Sequence, residues 1–142
     1  MIPLKMSTHT LFRDLDTGPG ICDITREIEA LVKQSEIASG IVHIFVPGST
    51  GSVTAIEYEP GVVKDLQRAV NEMAPPDRVY DHELAWHDGN GHSHIQAAIM
   101  GPSLSIPLRD GSLLTGTWQQ VVVINHDVRP RTRKVEITIT GS

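Results

Sequence analysis

The chain has 142 residues, 39% of them apolar and 20% charged, with a net charge of −5. That length suits one domain spanning 1–142 with a sizeable core, and the deficit of Lys and Arg argues against nucleic-acid binding, which needs cationic surplus to neutralise phosphates. No apolar run reaches the roughly 18 residues of a membrane helix, and the start, Met1-Ile-Pro-Leu-Lys-Met6, lacks the features of a signal peptide, so a cytoplasmic protein is expected.

Residues 6–12 alternate polar and apolar and read as a half-exposed first strand, broken at Thr17-Gly-Pro-Gly20. From Asp23, a plausible N-cap, Ile24, Ile28, Leu31 and Val32 recur at helical spacing, and the helix must stop before Gly40. Ile41 to Val46 is a short apolar run closed by Pro47-Gly48, the pattern of a buried strand, and Ser52 to Tyr58 reads as its neighbour. Pro60 suits the first turn of a second helix, whose buried face would be Val62, Val63, Leu66, Ala69, Val70 and Met73. Residues 77–91 have few apolar positions and are expected to form a loop, followed by a short helix over 92–100. Segments 104–108 and 113–115 flank Asp110-Gly111 as a hairpin, and strands follow over 117–125 and 134–140, with Val135, Ile137 and Ile139 inward. Helices in the first half and strands gathered at the end predict an α+β fold, a mostly antiparallel sheet with two to three helices.

His82, His87, His92 and His94 lie within thirteen residues, beside Asp81, Glu83 and Asp88. Imidazole is the usual nitrogen ligand of zinc and a carboxylate can complete such a set, whereas exposed histidines on a polar loop are the plain alternative. On a helix His92 and His94 would point about 200° apart. His94 is expected to be the more buried ligand, with Ile95 and Ala98 packing inward beside it, and His82 is the second choice. The run Gly48-Ser-Thr-Gly-Ser52 can offer Ser49 and Thr50 as donors to phosphate, or simply turn the chain. Arg129, Arg131, Arg133 and Lys134 form a local basic run that suits a small anion. Glu57 is either a surface residue or a ligand or base, and Trp118 with Gln119 either packs and solvates or holds a ring. His9 and His43 read as structural, His126 as part of a turn, and Cys22, the sole cysteine, has no basic partner that would activate it.

The order Ser-Val-Thr-x-x-Glu (52–57), Glu59-Pro60, Tyr80-x-His82, Ser93-His-Ile95, Met100-Gly-Pro-Ser103, Ile106-Pro107, Gly116-Thr-Trp-Gln119 and an Arg-rich last strand resembles the YjbQ family, the secondary thiamine-phosphate synthase-like proteins. The resemblance runs over essentially the whole chain. It implies an α/β sandwich assembled as a homotrimer, with sites near subunit boundaries. It also implies a weak coupling of a pyrimidine diphosphate to a thiazole phosphate with loss of pyrophosphate. A divalent metal would be held by His82 and His94, with His87 the third candidate, and Glu57 and Gln119 match the family's other polar positions. Zinc is the metal the histidines imply, and magnesium the one a diphosphate implies. Ser49, Thr50 and Arg131 would hold phosphate, and Trp118 with Gln119 a ring. The chain departs from many relatives at Gly48, where they carry histidine, and at Ile56-Glu57-Tyr58, where they carry Asn-Glu-Asn. A metal-dependent hydrolase with Glu57 as base, and a trimer that only binds a metal or small anion, are the competing readings.

Overall fold

The computed structural model describes residues 3–142; Met1 and Ile2, part of the N-terminal stretch considered above, lie outside the described residues. The elements in chain order are β1 (Lys5–Leu15), β2 (Gly20–Asp23), α1 (Thr25–Ser35), β3 (Gly40–Phe45), β4 (Gly51–Ile56), α2 (Pro60–Met73), α3 (Asp81–Trp86), α4 (Gly91–Met100), β5 (Ser103–Arg109), β6 (Ser112–Leu113), β7 (Gln120–Asn125) and β8 (Arg131–Gly141). They form a five-stranded sheet in the order β1-β8-β3-β5-β6 and a three-stranded sheet in the order β2-β7-β4. Each strand pair is antiparallel. The expected α+β architecture is therefore present, with two sheets rather than one and a fourth helix.

The core lies between the two sheets. Val135, Ile137 and Ile139 of β8 point into it as their alternation requires, meeting Val42 and Ile44 of β3, Val121 and Val123 of β7, and Ile28 and Val32 of α1. Each fully buried aliphatic side chain there stabilises the fold by about 1.5–3 kcal/mol. Val122 and Ile124 of β7 are also buried but turn to the opposite face, away from that core. β7 thus has both faces covered, which explains its unbroken Val-Val-Val-Ile run.

Local chemistry sets the helix ends. Asp23 Oδ1 accepts from the Thr25 N–H at 2.9 Å and from its hydroxyl, and that hydroxyl in turn accepts from Val121 N–H at 2.8 Å, tying α1 to β7. At α2 the Glu59 carboxylate accepts from the N–H groups of Gly61 and Val62, with Pro60 in the first turn. The buried face of α2 is narrower than its spacing suggests. Val70 is buried, but Ala69 and Met73 face solvent.

Gly40 and Gly141 lie opposite each other in the β3–β8 pair. A Cβ on Gly40 would stand 1.9 Å from the Thr140 carbonyl oxygen, inside any tolerable contact. Gly40→Ala is expected to cost about 3 kcal/mol, because the clash is with backbone that cannot move without breaking the ladder. A urea midpoint within experimental error of the parent would contradict that packing.

Candidate metal centre and its surroundings

The segment expected to be a loop, 77–91, contains a short helix. α3 covers Asp81–Trp86, ends with His87 in the left-handed conformation (φ 53°), and buries none of its residues. Its order comes from a carboxylate. Glu83 Oε2 accepts from Gly89 N–H and Oε1 from Gly91 N–H, both at 2.8 Å, folding residues 87–91 back over the helix. These two backbone bonds hold the Glu83 carboxyl below its usual pKa. Gly91 opens α4 against Tyr80, where a Cβ would come within 2.4 Å of the tyrosine Cβ.

This folding brings His82 and His94 together. Their rings meet edge to face with centroids 4.5 Å apart. His82 Nε2 lies 3.0 Å from Asp88 Oδ1, and one ligand atom from each of His82, Asp88 and His94 falls within 4.8 Å of the others. The Asn90 N–H, at 2.9 Å, and the His82 ring hold the Asp88 carboxyl below its ordinary range, so it is an anion at neutral pH. His94 Nδ1 lies 3.3 Å from the Ser49 carbonyl oxygen, which can only accept; the proton is therefore assigned to Nδ1, leaving the Nε2 lone pair free. A cleft of 410 Å³ lined by Tyr80, Asp81, His82, Gly91, His94 and Ile95 opens on the rings. A larger hollow, 580 Å³ between α1 and the β5–β6 turn, includes none of these residues.

The other expected positions fall differently. His87 is exposed and outside the three-residue group, and Asp88, its chain neighbour, stands there instead. His92 is more buried than His94, at 8% exposure, because the opposite face of α4 packs inward. Ile95 and Ala98 face solvent. His94 stands in the three-residue group, but contrary to expectation it is not the more buried of the two histidines. His92 faces Tyr80, at 6.4 Å between ring centroids, and burial pushes its pKa down.

Thr50 is buried and its hydroxyl is fully engaged, donating to Asp127 Oδ2 at 3.1 Å and accepting from Arg133 Nη2 at 2.6 Å. Arg131 is held by Asp127, with Nε and Nη2 each 3.0 Å from Oδ2. The arginine beneath the 48–51 turn is Arg133. Strand alternation offered a signal for it, since Arg133 stands in the same row as Val135, Ile137 and Ile139.

Glu57, Trp118 and Gln119 stand at the far end of the small sheet. In the β4–β7 register Gly51 faces Asn125 at the histidine end, and Ile56 faces Gln120 at the other. Extended chain rises roughly 3.3 Å per residue, so the ends of β4 are about 17 Å apart, with Ser49 and Glu57 beyond them. Gln119 Oε1 accepts from Gly116 N–H at 3.0 Å, closing a turn that leaves Trp118 74% exposed. Within one chain, neither Glu57 nor Gln119 belongs to the histidine group.

A polar network missed in the sequence lies under the centre. His126, 1% exposed, bonds Ser52 Oγ through Nε2 at 2.8 Å and Gln96 Oε1 through Nδ1 at 2.9 Å. An amide oxygen only accepts, so Nδ1–H donates, the hydroxyl donates to Nε2, and the ring is neutral. Burial, with the Arg133 charge adding to it, lowers its pKa from 6.5 to about 4. The unfolded chain then binds the extra proton first, so stability present above pH 6.5 falls as pH drops from 6.5 toward 4. The slope expected from this group is at most about 1.4 kcal/mol per pH unit. Urea midpoints across that window and the ring proton resonances of His126 check this, and a ring titrating near pH 6.5 would refute it.

Comparison with known proteins places these features in a family. The family model described as UPF0047 protein YjbQ-like matches residues 11–142. The chain is similar to UPF0047 protein YugU of Bacillus subtilis, 36% identical over 121 residues, covering 84% of this chain and 88% of that one. A UPF0047 protein of Methanothermobacter thermautotrophicus is 30% identical over 121 residues, covering 85% and 82%. Among solved structures, a YbjQ-like protein of unknown function from Sulfolobus solfataricus P2 superposes with a TM-score of 0.94 at 31% identity, covering 99% of this chain and 100% of that one. An uncharacterized YjbQ/UPF0047 family protein of Clostridium acetobutylicum gives 0.80 at 30% identity, covering 94% and 98%. With its sequence matched from Phe12's neighbour Leu11 to the end, and its fold shared over nearly every residue, the chain belongs to the YjbQ (UPF0047) family.

Proposed function

We propose that this protein is a metal-dependent enzyme acting on a small phosphorylated metabolite, with zinc or a similar transition ion held by His82, Asp88 and His94. The convergence of those three side chains, with ligand atoms within 4.8 Å, is the observation that carries the reading. Tetrahedral donors on zinc lie roughly 3.3 Å apart, so modest side-chain rotations would suffice. Two imidazoles and one carboxylate suit zinc better than magnesium, which prefers an all-oxygen shell. Three protein ligands beside an open cleft correspond to a catalytic rather than a closed structural site. Such an ion would supply positive charge against a phosphate or diphosphate as it departs. Asp88 and the Ser49 carbonyl hold the two rings in place, and the cleft against Tyr80 admits the substrate.

The reaction suggested by the family resemblance joins two phosphorylated heterocycles with loss of pyrophosphate, in a homotrimer. Two apolar surfaces support assembly. Leu84, Trp86, Ile95 and Ile99 are exposed on α3 and α4, and Tyr58 and Trp118 at the opposite end of the small sheet. Two different patches that meet head to tail close into a ring when the rotation between neighbours is a third of a turn. The outer face of the large sheet, with Phe12 at 60% and Ile41 at 53% exposure, also calls for cover. In this arrangement Glu57, Trp118 and Gln119 of one subunit complete the histidine centre of its neighbour.

The test is turnover of phosphate esters and of paired thiamine precursors by the zinc-loaded protein. Turnover that is abolished by a chelator and by Glu57→Gln supports the enzyme. Tight zinc binding with no turnover across the panel would leave a metal- or anion-binding protein instead.

A further inference from the structure

Arg133 is 7% exposed, and the hydrogen bonds of its guanidinium all run to neutral acceptors. Nη2 reaches the Thr50 carbonyl at 2.8 Å, the Thr50 hydroxyl at 2.6 Å and Asn125 Oδ1 at 2.6 Å, and Nε reaches Asn125 Oδ1 at 3.2 Å. The carboxylate nearby, Asp127, is paired with Arg131 and accepts from Thr50 and from the Arg129 N–H. Among the described residues, Arg133 has no carboxylate within ion-pair distance and Nη1 has no hydrogen-bond partner. Asp127 acts on Arg133 only from beyond ion-pair distance, through the Thr50 hydroxyl, and is itself paired with Arg131, so an arriving anion adds favourable charge to a largely buried cation.

Nη1 is directed at Gly48. A Cβ there would stand 3.2 Å from it, and Gly48 adopts φ +112°, where only glycine is unstrained. No side chain at position 48 therefore covers the guanidinium. Gly48 lines a 210 Å³ recess with Ser49, Gly51, His94, Ala97, Ala98 and Pro102. One wall of this recess, His94, is also a wall of the metal cleft. The turn 48–50 thus spans the two features, since Ser49 accepts from the His94 ring and Thr50 accepts from Arg133.

We infer that Arg133, whose Nη1 no side chain at position 48 covers, binds the phosphate group of the substrate beside the His82–Asp88–His94 centre. The assignment deepens the function proposed above and rests on it for the word substrate; the anion site itself stands on Arg133. Nη1 keeps its two N–H donors for a phosphate oxygen, and the two glycines that adjoin the guanidinium, Gly48 and Gly51, also line the recess.

Inorganic phosphate is the probe, titrated into the full-length protein with and without zinc and followed by the side-chain 15N resonances of arginine and by calorimetry. The expected result is a saturable shift of Arg133, with affinity lowered at least about tenfold by Gly48→Asp, which sets a carboxylate over Nη1. Ser49→Glu adds the same charge at the rim without using a strained backbone position, and keeps the test decisive if Gly48→Asp fails to fold. A shift confined to Arg131 or other residues, or affinity unchanged in both variants, would overturn the inference. Zinc affinity measured on the same samples separates the two readings. Phosphate at Arg133 without zinc binding defeats only the metal centre, and zinc binding without a shift at Arg133 defeats only the anion site.

Discussion

Replacing His94 by alanine is expected to weaken zinc binding by more than about a hundredfold, since loss of an outer partner alone typically costs tenfold to a hundredfold. The same loss is expected for His82→Ala, because the rings stand 4.5 Å apart and share Asp88 as the third donor. His87→Ala is expected to bind zinc as the parent does, since His87 is exposed and caps α3 away from the group. Competition with a chromophoric chelator at fixed pH reads all three. The contrast between His87 and the other two discriminates a built site from a histidine-rich loop that collects metal indiscriminately. Equal affinities in all three variants would mean that no single centre exists.

Mixing inactive variants should restore activity. In a head-to-tail trimer each centre would draw its histidines from one subunit and Glu57 from the next. An equal mixture of His94→Ala and Glu57→Gln chains, unfolded and reassembled together, then contains about a quarter of its centres intact. The expectation follows from distance: Glu57 lies beyond the opposite end of β4 from Ser49, and the strand alone spans about 17 Å. A centre wholly inside one chain could not recover by mixing. Recovery near a quarter of parental turnover supports the shared site, and none at all would confine the chemistry to His82, Asp88, His94 and their own subunit.

How much of this is legible in the residues depends on what each residue contacts. The spacing of Ile24, Ile28 and Val32 announces α1, and the alternation of Val135, Ile137 and Ile139 announces β8, because both patterns record burial against a single core. α3 leaves no such record. It buries nothing, so no apolar period marks it, and its order rests on one carboxylate reaching two N–H groups six and eight residues on. β2 is four residues long, too short to display a period before α1 begins. The inward face of α4 escapes the same reading, because what it buries is largely polar: His92, Ser93 and Gln96.

The sequence by itself determined the elements that pack on the core, the family, and the presence of a histidine-rich segment. Only the tertiary structure decided which donors meet. It set Asp88 in place of His87 with His82 and His94, put Arg133 rather than Arg131 under the glycine turn, and sent Glu57 and Gln119 to the other end of the small sheet. Burial is written into composition and period because water acts on every residue separately. Convergence of side chains from distant segments is a property of strand register and chain reversal, and no local pattern encodes it.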